Sequence, residues 1–212
     1  MKTVILCVFP VLFFLVAACI KTGNPMENDA LKLLKKSEAA FNEQYKDKPI
    51  DLSFQDLSGM TVEKASLVNA DLHYTNLTET RFIDCDITGA NLCGAHMEKT
   101  RFENSRLGKA QIHRTRFNKV LFLMTDMEES DMHESTFTEC EFKKSDISES
   151  NLHKTTFSKS LFFMSEVQGC NIRESSMTGM VINATKFIRS DLTDSRIQGT
   201  IKESCHFGGA VL

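Results

Sequence analysis

At 212 residues, with 42% hydrophobic and 25% charged residues, the chain has the size and composition of a folded globular protein of one or two domains. A net charge of −3 gives no support to nucleic-acid binding or to electrostatic adhesion at anionic surfaces. Tryptophan is absent, and the three prolines (Pro10, Pro25, Pro49) all lie in the first quarter of the chain.

The opening stretch MKTVILCVFPVLFFLVAAC has a lysine at position 2, an apolar run from Val4 to Val16 and then small residues, the layout of a secretory signal. The run is short for a spanning helix and contains Pro10. Its end, Val16-Ala17-Ala18-Cys19, resembles the bacterial lipobox. That resemblance implies removal of residues 1–18 and acyl chains on Cys19, which anchor a domain firmly because each buried CH₂ contributes about 0.8 kcal/mol. Ile20, in place of aspartate after the cysteine, implies by the enteric sorting pattern an address at the bacterial outer membrane. A plain cleaved signal or an uncleaved anchor fits the same layout. Residues 19–24 then form the lipidated cysteine and a polar tether.

Residues 25–48 predict a helix. Asn24 suits the N-cap, Pro25 the first helical position, and Glu27 completes a capping box. Leu34, Phe41 and Tyr45 fall on one face, and Pro49 ends the segment. A lone helix of this size needs a surface to pack on, so it is expected to cap the long region C-terminal to it, with partner binding as the alternative.

From Leu52 through Ile197 every fifth residue is apolar, thirty positions without a miss; Lys202 breaks the series, and Phe207 and Leu212 resume it in frame. Neither a strand's period of two nor a helix's 3.6 gives this beat. Two residues before each centre, between Ala65 and Ala210, stands Ala, Ser, Thr or Cys, apart from Val120 and Met180. The residue between the two series is often Asp or Asn, as in ADLHY, CDITG, SNLHK and SDLTD. These blocks resemble the pentapeptide-repeat family over residues 50–212. The resemblance implies an all-β, right-handed quadrilateral β-helix of about eight coils, four pentapeptides to each square coil. Centres and small residues then point inward, and the other three positions point out. Like residues stack at twenty-residue intervals: Phe82, Phe102, Phe122, Phe142 and Phe162 form one column, and Phe117, Phe137 and Phe157 another. Seven of the ten glycines fall two after a centre, where a turn would need positive φ.

The same rule sorts the chemistry. Cys85, Cys140, Cys170 and Cys205 take the small inward position, where no cysteine lies one coil away, so they read as buried small residues; Cys93 faces out. His73, Cys93, His113, His133 and His153 repeat one outward position, a ladder that offers Zn²⁺ or Cu²⁺ two ligands readily and four poorly. Its metal reading centres on His113, His133 and His153, against a plain solvated stripe. LFLM at 121–124 recurs as LFFM at 161–164, so Leu121, Leu123, Met124, Leu161, Phe163 and Met164 form an outward apolar face, extended by Val181 and Ile201, fit for a protein partner or, alternatively, for cover by the N-terminal helix or chain tail. The unbroken period leaves no loop in which to build a pocket, so neither an enzyme nor a cofactor is expected. Some members of the resembled family mimic DNA and modulate type II topoisomerases through strongly acidic faces. Here Arg81, Arg101, Arg106, Arg114 and Arg116 decorate the rod, which argues against that role. The last coil, with Phe207, Gly208, Gly209, Ala210 and Leu212, shows no polar cap, so weak end-to-end homodimerisation is expected. The leading expectation is a non-enzymatic, lipid-anchored envelope rod that binds protein and no nucleic acid.

Overall fold

The computed structural model describes residues 27–211. Two short helices, α1 (Asp29–Lys36) and α2 (Glu38–Tyr45), precede fourteen three-residue strands. These are β1 (Thr61–Glu63), β2 (Arg81–Ile83), β3 (His96–Glu98), β4 (Arg101–Glu103), β5 (Arg116–Asn118), β6 (Leu121–Leu123), β7 (Thr136–Thr138), β8 (Glu141–Lys143), β9 (Thr156–Ser158), β10 (Leu161–Phe163), β11 (Ser176–Thr178), β12 (Val181–Asn183), β13 (Arg196–Gln198) and β14 (Ile201–Glu203). They stack as two parallel sheets on adjacent sides of a four-sided solenoid, one of eight strands (β1 to β14) and one of six (β3 to β13). Every pairing joins residues twenty apart, so the eight strands span seven full turns. The other two sides pair through single parallel bridges such as Asp71↔Asn91 and Asp86↔Arg106.

The lumen is the core. Every centre from Leu52 to Leu192 is buried, and so is every small position from Ala65 to Ser190. Phenylalanine rings of successive coils lie almost parallel: Phe82–Phe102 at 5.2 Å, Phe102–Phe122 at 5.3 Å, Phe122–Phe142 at 4.8 Å and Phe142–Phe162 at 4.5 Å. The coil spacing, close to a strand separation, sets that distance.

At each corner the residue two after the centre takes the left-handed conformation. All seven glycines expected there have positive φ, and so do twenty-five non-glycine residues. The corner therefore constrains every pentapeptide, whether or not a glycine marks it.

The residue before the centre sorts the sides of the rod. Twelve of these are Asp or Asn, and each accepts a hydrogen bond on its side-chain oxygen from the backbone N–H two residues on. None of the twelve lies in a strand. The Asx turn competes with ladder pairing, so these Asp and Asn residues fall outside the strands, whose first residues are Arg, Thr, Leu, Val, Ile, His, Glu or Ser.

At the N-terminal end the expected single helix is two. Ser37 breaks it with an extended backbone, and its Oγ caps α2 by accepting from Ala40 N at 3.2 Å. Asn24 and Pro25 lie outside the described residues. Glu27 precedes the helix rather than standing within its first turn, and Asn28 is the N-cap, accepting from Leu31 N at 2.9 Å. The break lets both helices close the solenoid. Leu31, Leu34 and Phe41 are buried, and Asn42 donates to Lys64 O and accepts from Ser66 N, both at 2.8 Å, pairing the open edge of the first coil. At the other end Ile197 is half-buried, and Lys202 takes a lumen position in β14 with its ammonium 5.2 Å from the Phe207 ring.

Phe122 is fully buried between two other rings. Phe122→Ala is expected to lower unfolding free energy by about 3–5 kcal/mol in urea titrations. Met124→Ala, half-exposed two residues on, is expected to change it by under about 0.5 kcal/mol.

Candidate functional site

The lumen is packed, so any chemistry has to come from side chains on the outer surface. The eight-stranded face carries the apolar residues the repeat arithmetic placed outside. Leu121 and Leu123 sit on β6, Leu161 and Phe163 on β10, all half-buried, while Met124 and Met164 are half-exposed at the following corners. The two groups do not merge. Between them runs β8, where Lys143 pairs with Glu141, and its register sets Glu141 between Leu121 and Leu161. Beyond β10 the apolar column continues unbroken: Leu161 aligns with Val181, and Val181 with Ile201, which is 57% exposed. Below β6 the same columns hold Arg81, Arg101 and Glu103, joined by ion pairs at 2.8 and 3.2 Å. The face is thus charged in its first coils, and in its last one outward column is apolar while the other holds Asn183 and Glu203, hydrogen-bonded at 2.9 Å.

The histidine column lies on a turn-built side. Asp71 engages the Nδ1 of His73, Asp131 that of His133, and Glu174 lies 3.1 Å from Nε2 of His153. His113 and His133 stack at 4.8 Å and 15°, an arrangement in which ring nitrogens lie side by side rather than converge. Among the described residues no group of three or more His, Cys, Asp or Glu is placed to hold a metal ion. His113 Nδ1 is buried without a hydrogen-bond partner, the one such side-chain atom among the described residues. The cause is local: position 111 is Gln where the coils around it carry Asp71, Asn91, Asp131 and Asn151, and its longer side chain closes no Asx turn. Burial pushes the Asp131 carboxyl upward, but hydrogen bonds from the His133 ring and N–H outweigh it and hold the group below the usual range.

Two further surfaces lie outside the residues singled out by sequence. Asp126, Glu128, Glu129, Asp146, Glu149 and Glu166 gather on the remaining turn-built side, and a hydrogen bond to Asp146 pushes the Glu128 carboxyl up. On the corner beside the histidines, Phe54 and Tyr74 stack at 5.4 Å with His73 edge-on to both. Both fall at the outward position two after a centre, so the five-residue rule already places two aromatic rings in solvent.

The family described as "Pentapeptide repeats (8 copies)" matches residues 50–84, 85–122 and 125–162, just over half of the chain. The chain belongs to the pentapeptide-repeat family. Among solved structures, a trypsin-treated form of QnrB1, a plasmid-mediated fluoroquinolone resistance protein, superposes with a TM-score of 0.59 at 17% identity, covering 73% of this chain and 90% of that one. HetL, a pentapeptide-repeat protein involved in heterocyst differentiation regulation in the cyanobacterium Nostoc sp. strain PCC 7120, gives 0.52 at 14% identity, covering 81% and 95%. At such identities the likeness is one of fold. No curated protein sequence matches the chain.

Within this pentapeptide-repeat solenoid the thiols act as corner hydroxyls do. Cys85, Cys140 and Cys170 are buried, and each Sγ donates to a backbone carbonyl one coil below: Val62 O at 3.3 Å, Phe117 O at 3.5 Å and Ile147 O at 3.0 Å. Burial pushes the Cys85 thiol up to about 11 and those of Cys140 and Cys170 to about 12, which leaves them unreactive near neutral pH. Cys93 is half-buried, facing out below His113, and burial raises its thiol too.

The orphaned His113 nitrogen gives a direct test of the Asx rule. Gln111→Asn supplies an acceptor for His113 Nδ1 and its N–H, and a donor for Asn91 below, as Asn171 donates to Asn151 at 3.2 Å. It is expected to stabilise the protein by about 1 kcal/mol in urea titrations, whereas Gln111→Ala is expected to give no gain.

Proposed function

We propose that this pentapeptide-repeat protein is a non-enzymatic rod, exported and held at the bacterial envelope through lipid on Cys19, that binds a protein partner along the last coils of its eight-stranded face. The observation that carries the reading is the uninterrupted column Leu161, Val181 and Ile201, flanked by Phe163 and Met164 and bordered by the ion-paired β8. Contiguous apolar side chains on an otherwise charged surface are the usual mark of a binding site. Two depressions among the described residues are open surface grooves lined largely by lysine, arginine, glutamate and aspartate, which favours a binding role over catalysis. The signal and lipobox lie in residues 1–19, outside the described residues, and support the address by sequence alone. Among the described residues no helix is long and apolar enough to cross a membrane.

One surface favours a second reading, a DNA-mimicking modulator of type II topoisomerases. The carboxylates at 126, 128, 129, 146, 149 and 166 share one side, though Lys109 and Lys186 pair with two of them at 3.6 and 2.6 Å. A single cross-linking pulldown from membranes separates the two. The envelope reading expects one specific partner, lost with Phe163→Asp and largely kept with Leu123→Asp, because β8 isolates the first patch. A topoisomerase partner lost with Glu128→Lys/Glu149→Lys supports the second reading and overturns the first.

The open end belongs to the same proposal. Among the described residues β14 has a partner on one side only, and Ile201 and Val211 are more than half exposed there, so two rods can meet end to end. Lys202 in the lumen position weakens that contact, because stacking coils would bury its ammonium. Sedimentation is expected to show a weak monomer–dimer equilibrium that Lys202→Leu strengthens, and a strict monomer at high concentration for both proteins refutes the contact.

A further inference from the structure

Among the described residues the aromatic pair at the N-terminal corner stacks on itself and on His73, and its outer faces stay exposed. Phe54 is 49% exposed and Tyr74 50%. Both are left-handed, with φ of 57° and 53°, a conformation that bulky side chains rarely adopt and that glycine takes freely at the same position in Gly59 and Gly94. Stability alone favours glycine or asparagine at such corners. The neighbouring coil is fitted to the ring: a Cβ at Gly94 would come within 2.4 Å of Tyr74 Cε1, so the absence of a side chain there lets Tyr74 lie over it.

The location of the pair points to its cover. The described chain enters beside this corner, where Asn28 N donates to Gln55 Oε1 at 3.0 Å and Asn28 Nδ2 to Asp51 O at 2.6 Å. Phe54 lies between those two contacts in sequence. Eight residue steps separate Cys19 from Glu27, a reach of at most about 29 Å. A lipid on Cys19 therefore keeps this corner close to the bilayer surface, where phenylalanine and tyrosine side chains are stabilised between headgroups and acyl chains. The corner column also shows where contact ends: above Gly94 it continues as Arg114, Glu134, Lys154, Glu174 and Asp194, with Arg114 paired to Glu134 at 2.7 Å. Those groups belong in water.

We infer that Phe54 and Tyr74, with His73 between them, form a bilayer-contact site that seats the N-terminal end of the lipid-anchored rod in the membrane interface. The inference rests on the lipid-anchor reading of Cys19. It sets the first two coils against the lipid and holds the last coils, some seven spacings or about 34 Å along the axis from Phe54, out of it.

Because the chain has no tryptophan, single substitutions report single sites. The full lipid-modified chain carrying Phe54→Trp is purified from membranes and reconstituted in phosphatidylethanolamine–phosphatidylglycerol vesicles, with Phe163→Trp in parallel. The Phe54→Trp indole is expected to emit at shorter wavelength in vesicles than in protein lacking residues 1–19, and to be quenched by lipids brominated near the headgroup. The Phe163→Trp indole is expected to show neither effect. Protein that floats with vesicles but shows no blue shift and no quenching at position 54 overturns the bilayer contact while leaving the anchor standing. Equal quenching at both positions overturns it as well. Protein that does not float with vesicles overturns the anchor and the contact together.

Discussion

The structure depends on one constraint, the pairing of backbone polar groups where the chain bends. At each corner the carbonyl of the centre and the N–H three residues later turn away from the interstrand ladder, next to a dry lumen. Left unpaired, each would cost several kcal/mol. The protein meets this in two ways. Some corners close on themselves, as when Ala90 N donates to Ile87 O at 3.2 Å and Ala110 N to Leu107 O at 3.1 Å. Others open, and a hydroxyl from the coil above bridges the gap. Ser105 Oγ accepts from Cys85 N and donates to Phe82 O, Ser145 Oγ accepts from Thr125 N and donates to Phe122 O, and Ser160 Oγ accepts from Cys140 N and donates to Phe137 O. The small position is small so that it fits the corner, and it is so often Ser, Thr or Cys because each coil finishes the hydrogen bonding of the one below.

That constraint explains why function is pushed to the surface. An insertion at any pentapeptide would shift every later hydroxyl off its carbonyl and every later ring off its stack. From Leu52 to Ile197 the period therefore runs unbroken, no loop leaves the rod among the described residues, and the lumen offers no room. What remains free is the residue before each centre, the one after, and the left-handed corner. The first of these is itself committed on the turn-built sides, where Asp and Asn hold Asx turns. The strand sides have no such duty, and there β6 and β10 carry the half-buried Leu121, Leu123, Leu161 and Phe163, and β12 and β14 the exposed Val181 and Ile201.

Much of this was legible in sequence because stacking repeats the same environment every twenty residues. The phenylalanine columns, the buried Cys85, Cys140 and Cys170 and the outward positions of Leu121, Phe163 and His133 all come from counting; Cys205, expected to be buried with them, is half-buried because its coil is the last one described. Other features were written in the sequence but need the chemistry of the turn to decode. Asp or Asn before a centre, as at Asp71, already marks an Asx turn instead of a strand, and Gln111 already announces that His113 loses its acceptor. The division of the apolar face was less visible. Glu141 and Lys143 look like one charged coil between two apolar ones until their ion pair shows how completely they separate Leu121 from Leu161. The break at Ser37 was hidden for a different reason: a serine with Glu38 behind it caps a helix as readily as it sits inside one, and only docking on the first coil decides between them.

The two ends of the rod are finished differently, and this gives an otherwise repetitive object a direction. At the first coil Asn42 and Asn28 satisfy open backbone edges with side-chain amides, and Leu31, Leu34 and Phe41 seal the lumen. Among the described residues the last coil has no such cover, and Lys202 opposes further stacking by charge. A covered end tolerates close approach to any surface without recruiting another strand, whereas an uncovered one has to be kept where pairing is useful or harmless. The exposed side chains share this polarity, aromatic at the corner beside the covered end and aliphatic along the strands near the open one. A solenoid needs no such asymmetry for its own stability, since each coil contacts only its neighbours. The asymmetry makes physical sense if the covered end faces something broad and the open end meets something specific.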